Sequence, residues 1–283
     1  MNQTDARIPE KNKAPTTYGA VRKDDNRKAL KMHRALATVS YGKRMSIKAK
    51  IQEVDSFDQF DMIPGLKEAL KSDALKGMVD VKPTPVQRLA VPELLGQGKF
   101  RPKSPPKEFL LAAETGSGKT LAYLLPAINA MKLAEAEDTE AADYKKRWAE
   151  ERVRRGNDKA APSTFDEPHP SMARPRVVIL VPTAELVEQV GAVCKSLSHM
   201  VKFRTEKLSA NLPVKVIHRN LYSPRGVDVV ISTPHLLASI ADSDPNVLAR
   251  VSHLIVDEAD SLLDRSFSAV TIDIIDKARP SMK

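Results

Sequence analysis

Gly116, Ser117, Gly118, Lys119 and Thr120 form an unbroken run inside Ala113-Glu-Thr-Gly-Ser-Gly-Lys-Thr120. These residue types in this order suit one task, the cradling of a polyphosphate. Gly116 and Gly118 permit a tight turn and a close backbone approach to an anion. The turn spanning Thr115, Gly116, Ser117 and Gly118 aims its N–H groups at phosphate oxygens. An apolar run, Phe109-Leu-Leu-Ala-Ala113, comes just before and reads as a short buried strand. Lys119-Thr-Leu-Ala-Tyr-Leu-Leu-Pro-Ala-Ile-Asn-Ala-Met131 follows and reads as a helix, kinked near Pro126. The N-terminus of that helix adds positive potential at the anion. Lys119 can reach the β- and γ-phosphates, and Thr120 can ligate Mg²⁺. Ala113 replaces the first glycine of the general phosphate-loop pattern, and the rest is complete.

Asp257-Glu258-Ala259-Asp260 supplies the carboxylates such a site needs. It follows the apolar run Leu254-Ile-Val256, so a strand delivers the acids at its carboxyl end. Asp257 is placed to hold Mg²⁺ through water. Glu258 is placed to orient or deprotonate an attacking water. Taken alone, the same acids would serve as the first turn of the next helix. Beside a phosphate loop, the catalytic reading of Lys119, Asp257 and Glu258 carries more.

Strands and helices alternate around these motifs. Ile63 to Leu75 reads as a helix with Leu66, Leu70 and Leu75 on one side, and Val86 to Leu95 as a second. Arg176–Val181, Val227–Ile231 and His253–Val256 read as further strands, with a helix from Ala184. The pattern predicts an α/β fold, a mostly parallel sheet with helices on both faces. Ligands then sit at the carboxyl ends of the strands. A charged stretch at about 132–175 breaks the pattern and reads as a solvated insertion, helical to Arg155 and irregular beyond. Trp148 within it reads as packing rather than base stacking. Cys194 shares a helix face with Leu186, Val190, Val193 and Leu197, so it reads as core.

Composition narrows the classes. Of 283 residues, 42% are hydrophobic and 29% charged, which fits a globular chain. No apolar run approaches the ~20 residues of a membrane span, so no membrane partner is expected. With Cys194 the only cysteine, no intramolecular disulfide can form, and the six histidines show no metal-ligand spacing. The net charge of +9 sits wholly in residues 1–50, where 13 Lys+Arg face 4 Asp+Glu. Residues 1–54 read as a basic, largely disordered extension, with a short basic helix over 28–37, and 55–283 as the folded domain. The arm suits nucleic acid, and it also suits a solvated tail or a targeting segment.

Asp257-Glu258-Ala259-Asp260, together with the phosphate loop, resembles the DEAD-box RNA helicases. Pro83-Thr84-Pro85-Val86-Gln87 is similar to their glutamine motif, in which the amide pairs with adenine and selects ATP. Phe57, with Phe60 as fallback, resembles the aromatic that stacks on adenine. Pro182-Thr183-Ala184-Glu185-Leu186 and Ser232-Thr233-Pro234 resemble the motifs that touch the RNA backbone. The resemblance implies a RecA-like domain with ATP, Mg²⁺ and RNA as ligands, Phe57, Thr84 and Gln87 at the base, and Pro182, Thr183, Glu185, Thr233 and Pro234 at the RNA. A monomer is expected.

Ala184, His235 and Leu236 depart from the family pattern, where arginine and Gly-Arg stand. The nucleotide half is intact and the RNA half eroded. Lys28 to Leu36 resembles a basic segment ahead of the core in the fungal mitochondrial branch. That branch implies a mitochondrial site and work on ribosomal RNA, with a cytoplasmic or nuclear site as the alternative. The family's second helicase domain, with its arginine fingers, is expected to be absent from 1–283, so the stretch alone is expected to hydrolyse ATP barely. One rival reading is a non-catalytic, nucleotide-gated RNA-binding or assembly factor. Another is a P-loop NTPase of a different class, against which Gln87 and Asp257–Asp260 count.

Overall fold

The computed structural model describes residues 45, 51, 53–78, 81–97, 108–156, 174–209, 213–223 and 226–282. Apart from Met45, the basic arm over 1–50 lies outside the described residues, as do Val79-Asp80 and the prolines at 162, 168 and 170.

In the unit spanning Ile51–Lys283, Ser56 caps a short turn. Its hydroxyl accepts from Asp58 N at 3.2 Å while Gln59 Oε1 accepts from Ser56 N, a reciprocal cap on the 3₁₀ turn Phe57–Gln59. Helix α1 (Pro64–Ala69) passes into a π-helical turn, Leu70–Ala74. Helices α2 (Pro85–Leu94), α3 (Lys119–Glu137) and α4 (Thr139–Arg155) follow. Strand β1 (Val177–Leu180) leads into α5 (Ala184–Val201), β2 (Thr205–Leu208) into α6 (Val214–Leu221), and β3 (Val229–Ser232) into α7 (Pro234–Ser243). Strand β4 (His253–Val256) ends the sheet, before α8 (Ala259–Leu262) and α9 (Ser268–Ala278).

The four strands are all parallel, in the order β2-β3-β1-β4. Side chains alternate between the two faces, as strand geometry requires. Val177, Ile179 and Val181 join Leu66, Leu124, Ile128, Val190 and Cys194 in one core. Val178 and Leu180 join Val230, Leu237, Ile240 and Ile274 in the other. Cys194 is fully buried, and burial pushes its thiol up to about 12. The α/β expectation therefore holds, and β4 falls on the predicted residues.

One expected element does not form. Phe109–Ala113 is not a strand, and Leu110 is 86% exposed. A strand exists through its ladder of backbone bonds, so apolar content alone does not make one. Strands β2, β3, β1 and β4 form the sheet among the described residues, and none of them pairs with this run. The helix expected to end at Met131 instead continues to Glu137.

The insertion helix is pinned at its root. The Asp138 carboxylate accepts from Ala141 N at 2.9 Å, which caps α4, and binds both Arg176 and Arg250. Burial would raise the Asp138 carboxyl pKa, but the Ala141 bond and the two guanidiniums outweigh it and hold it below the usual range. Its stabilising contribution is thus complete above the ordinary carboxylate pKa and is lost as pH falls through the lowered value. At the other end, Arg174 pairs with Asp244 at 3.0 Å and lies 4.4 Å over the Tyr222 ring. These contacts sit at the amino ends of the strands, opposite the motifs. Asp138→Ala removes the cap and strands two guanidiniums. It is expected to cost about 2–4 kcal/mol, a fall in melting temperature of roughly 4–16 °C. An unchanged thermal transition would show that the pin carries no load.

Candidate functional site

The phosphate loop is a turn in which Gly116 (φ 78°) and Gly118 (φ 90°) both take left-handed backbone. At Gly118 a side chain is also excluded by space. A Cβ there would lie 2.5 Å from Gln87 Nε2 and 3.2 Å from Thr84 Oγ1. Thr84 and Gln87 form a reciprocal cap at the start of α2. Gln87 Oε1 accepts from Thr84 N at 2.9 Å, and Thr84 Oγ1 accepts from Gln87 N at 3.4 Å. Gln87 Nε2 then donates to Gly118 O at 3.0 Å. The glutamine thus clamps the loop, with one lone pair and one N–H of its amide left over. The cap had a sequence signal that was not read, a threonine with glutamine three residues on, whereas the bond to Gly118 had none.

Lys119 opens α3, and its ammonium donates to Ala113 O at 2.8 Å and Glu114 O at 2.9 Å. Ser117 Oγ is buried with no hydrogen-bond partner. A cation at a helix N-terminus, a left-handed turn and an orphaned hydroxyl together fit a bound phosphate group. Thr115 and Gly116 are exposed, and Thr120 is half-buried on the first turn of α3.

Asp257 lies where β4 ends, with its amide donating to Leu180 O at 2.9 Å. Its Oδ2 accepts from Tyr123 Oη at 2.8 Å and its Oδ1 from Glu258 N at 3.0 Å. Tyr123 stands three residues after Thr120 on α3, so its bond ties the helix that carries one expected Mg²⁺ ligand to the carboxylate of the other. Burial first, and the adjacent Asp257 charge second, push the phenol far above its ordinary value, so it remains a donor. Tyr123 was not singled out from the sequence. Its position three residues after Thr120, on the same helix face, was the available signal. Among the described residues no cluster of three or more His, Cys, Asp or Glu side chains could hold a metal by itself. Mg²⁺ needs less, since it keeps its waters and takes one or two protein oxygens beside phosphates. Thr120 and Asp257 fit that requirement.

Glu258 is exposed and sits in left-handed backbone, φ 51° and ψ 51°. A glutamate seldom adopts this conformation, and such outliers concentrate at functional sites. Phe57 sits on the 3₁₀ turn that opens the domain. It is 6% exposed and meets Phe60 edge-on with centroids 5.9 Å apart.

The remaining motif residues line the same sheet edge. Leu180 pairs with Ser232 on one side and with Val256 on the other, so the chain segments after β1, β3 and β4 emerge side by side. Thr183 caps α5 through Leu186 N at 3.3 Å, and Glu185 is exposed beside it. Thr233 precedes α7 with no side-chain cap bond, and Pro234 is buried at its first position. Pro182 is half-buried. His235, at a departure from the family pattern, rests against the Phe267 ring with centroids 5.4 Å apart.

Similarity to known proteins follows the same line. The mitochondrial ATP-dependent RNA helicase MRH4 of Pyricularia oryzae is 58% identical over 279 residues, which covers 90% of this chain and 43% of that protein. Its namesake in Neurospora crassa is 61% identical over 265 residues, with 90% and 42% covered. The chain therefore spans less than half the length of these relatives. Among solved structures, the yeast DEAD-box splicing factor Prp28 matches with a TM-score of 0.58 at 20% identity, over 87% of this chain and 49% of that one. A DEAD box protein from Methanococcus jannaschii matches with a TM-score of 0.55 at 18% identity, over 81% and 48%. Both likenesses show the fold. The sequence profile described as DEAD/DEAH box helicase matches residues 84–283, from the threonine that caps α2 through the loop and the acidic strand end, and the chain belongs to that family.

Proposed function

We propose that this chain is the ATP-binding domain of an ATP-dependent RNA helicase, with hydrolysis coupled to RNA remodelling when a second helicase domain is present. The observation that carries the reading is the 2.8 Å bond from Tyr123 to Asp257, which joins the phosphate-loop helix to the acidic strand end. Lys119, Thr120 and Asp257 thereby gather at one end of the sheet. Lys119 and the loop amides hold the phosphates. Thr120 and Asp257 hold Mg²⁺, which neutralises charge developing on the phosphate oxygens. Glu258 positions and deprotonates the water. Gln87 offers its spare lone pair and N–H to adenine, with Phe57 and Thr84 on the base side.

RNA lies across the carboxyl edge of the sheet, held through its sugar-phosphate backbone by Pro182, Thr183, Glu185, Thr233 and Pro234. The amino ends of α5 and α7 favour phosphate there. With Ala184 and Leu236 in place of the family's two arginines, the basic arm at 1–50 supplies the compensating charge. The names of the relatives support a mitochondrial site, and the finer reading is assembly of the mitochondrial ribosome on ribosomal RNA. No described helix is long and apolar enough to cross a membrane.

The test is ATP turnover, with and without single-stranded RNA, by the chain joined to the family's second domain. Hydrolysis that RNA stimulates at least several-fold is expected. Binding of both ligands with no stimulation would favour the non-catalytic clamp instead.

A further inference from the structure

The nucleotide reading leaves one buried group at the site without a task. Tyr123 is 9% exposed on α3, one turn after Thr120. Its hydroxyl donates to Asp257 Oδ2 at 2.8 Å. Packing alone does not explain this placement, because the same ring without its hydroxyl would fill the core equally well. The other Asp257 oxygen accepts from Glu258 N at 3.0 Å, so the carboxylate is held at both ends. One of those holds comes from the phosphate-loop helix and the other from the strained turn that carries Glu258.

We infer that Tyr123 is a positioning residue, which sets the Asp257 carboxylate against Thr120 so that the two present their oxygens to one Mg²⁺. A carboxylate hung on a strand end rotates about two torsions, and a ligand that rotates must be ordered each time the ion binds. A bond from a rigid helix removes that cost in advance, as partners behind a metal ligand do elsewhere. Because α3 also carries Lys119 and the end of the loop, the same hydroxyl fixes the spacing between the phosphate cradle and the acidic strand.

This inference rests on the Mg-ATP reading of the site, and the experiment separates the two. A fluorescent, non-hydrolysable ATP analogue is titrated into the chain, first in EDTA and then across a Mg²⁺ series. The unsubstituted chain is expected to bind the analogue in EDTA and more tightly with Mg²⁺. Tyr123→Phe keeps the ring and removes the hydroxyl. It is expected to leave affinity in EDTA within about twofold and to raise the half-saturating Mg²⁺ concentration about 10–100-fold. In an Asp257→Asn background, Tyr123→Phe should add little, because the tyrosine acts through that carboxylate.

Equal weakening in EDTA and in Mg²⁺ would overturn the inference in favour of a packing role. So would an unchanged Mg²⁺ dependence, or an undiminished effect in the Asp257→Asn background. Failure of the unsubstituted chain to bind the analogue in either condition would instead overturn the nucleotide reading beneath it.

Discussion

Lys119→Ala is expected to lower ATP affinity by about 10²–10³-fold, as two charge-assisted hydrogen bonds at about 1.5–2 kcal/mol each are lost. The lysine is the cation of the phosphate loop, and its two carbonyl partners, Ala113 O and Glu114 O, belong to the loop itself. In the bound state the ammonium exchanges those carbonyls for phosphate oxygens of opposite charge, a stronger pairing in a half-buried setting. The fold should not suffer. Lys119 is half-buried at the first position of α3, where alanine is an excellent helix former. Calorimetric titration measures the affinity, and the far-ultraviolet spectrum checks the fold. Unchanged affinity would remove the loop from the nucleotide site.

Glu258→Gln should separate binding from chemistry. The side chain is exposed, and the amide has the same shape, so nucleotide affinity should stay within about threefold. Turnover should fall about 10²–10⁴-fold, the contribution of a positioned general base. The measurement needs the family's second domain and RNA present, since an arginine on the far side of the γ-phosphate is worth about 10³–10⁵ in related NTPases. The backbone at Glu258 supports the assignment, because left-handed φ at a glutamate persists only where its surroundings enforce it. Turnover near that of the unsubstituted protein would mean that water is activated by another group.

The nucleotide half of the site was legible because its chemistry is local in sequence. A phosphate loop needs its glycines, lysine and threonine within a few residues, and the acidic turn needs only a strand before it. Of the four strands that were expected, three form, and each is built on a short apolar stretch: Val177–Leu180, Val229–Ile231 and Leu254–Val256. Strand β2 (Thr-Glu-Lys-Leu) was missed because an edge strand exposed on one side does not read that way. Phe109–Ala113 failed for the opposite reason. Its apolar content spoke for a strand, but pairing is a property of the neighbour and not of the run.

The bonds that assemble the site were the least legible. Tyr123 and Asp257 are 134 residues apart, and Gln87 and Gly118 are 31 apart. Spacing within either motif says nothing about which hydroxyl or amide joins it to the other. Asp138 shows the same limit, since its partner Arg250 lies 112 residues away. What sequence did offer there was the capping position, an aspartate before a helix.

Base selection tests the central claim most directly, that this is an adenine-nucleotide site of the DEAD-box kind. ATP and GTP compete against a fluorescent ADP on residues 1–283, with and without Gln87→Ala. Gln87 already spends one lone pair on Thr84 N and one N–H on Gly118 O. Its remaining lone pair and N–H match the donor at N6 and the acceptor at N7 of adenine, a pairing that guanine cannot offer. ATP is expected to displace the probe at concentrations about tenfold or more below GTP, the value of one good bidentate contact. Gln87→Ala is expected to narrow that gap. Equal displacement by ATP and GTP on the unsubstituted chain would contradict the account.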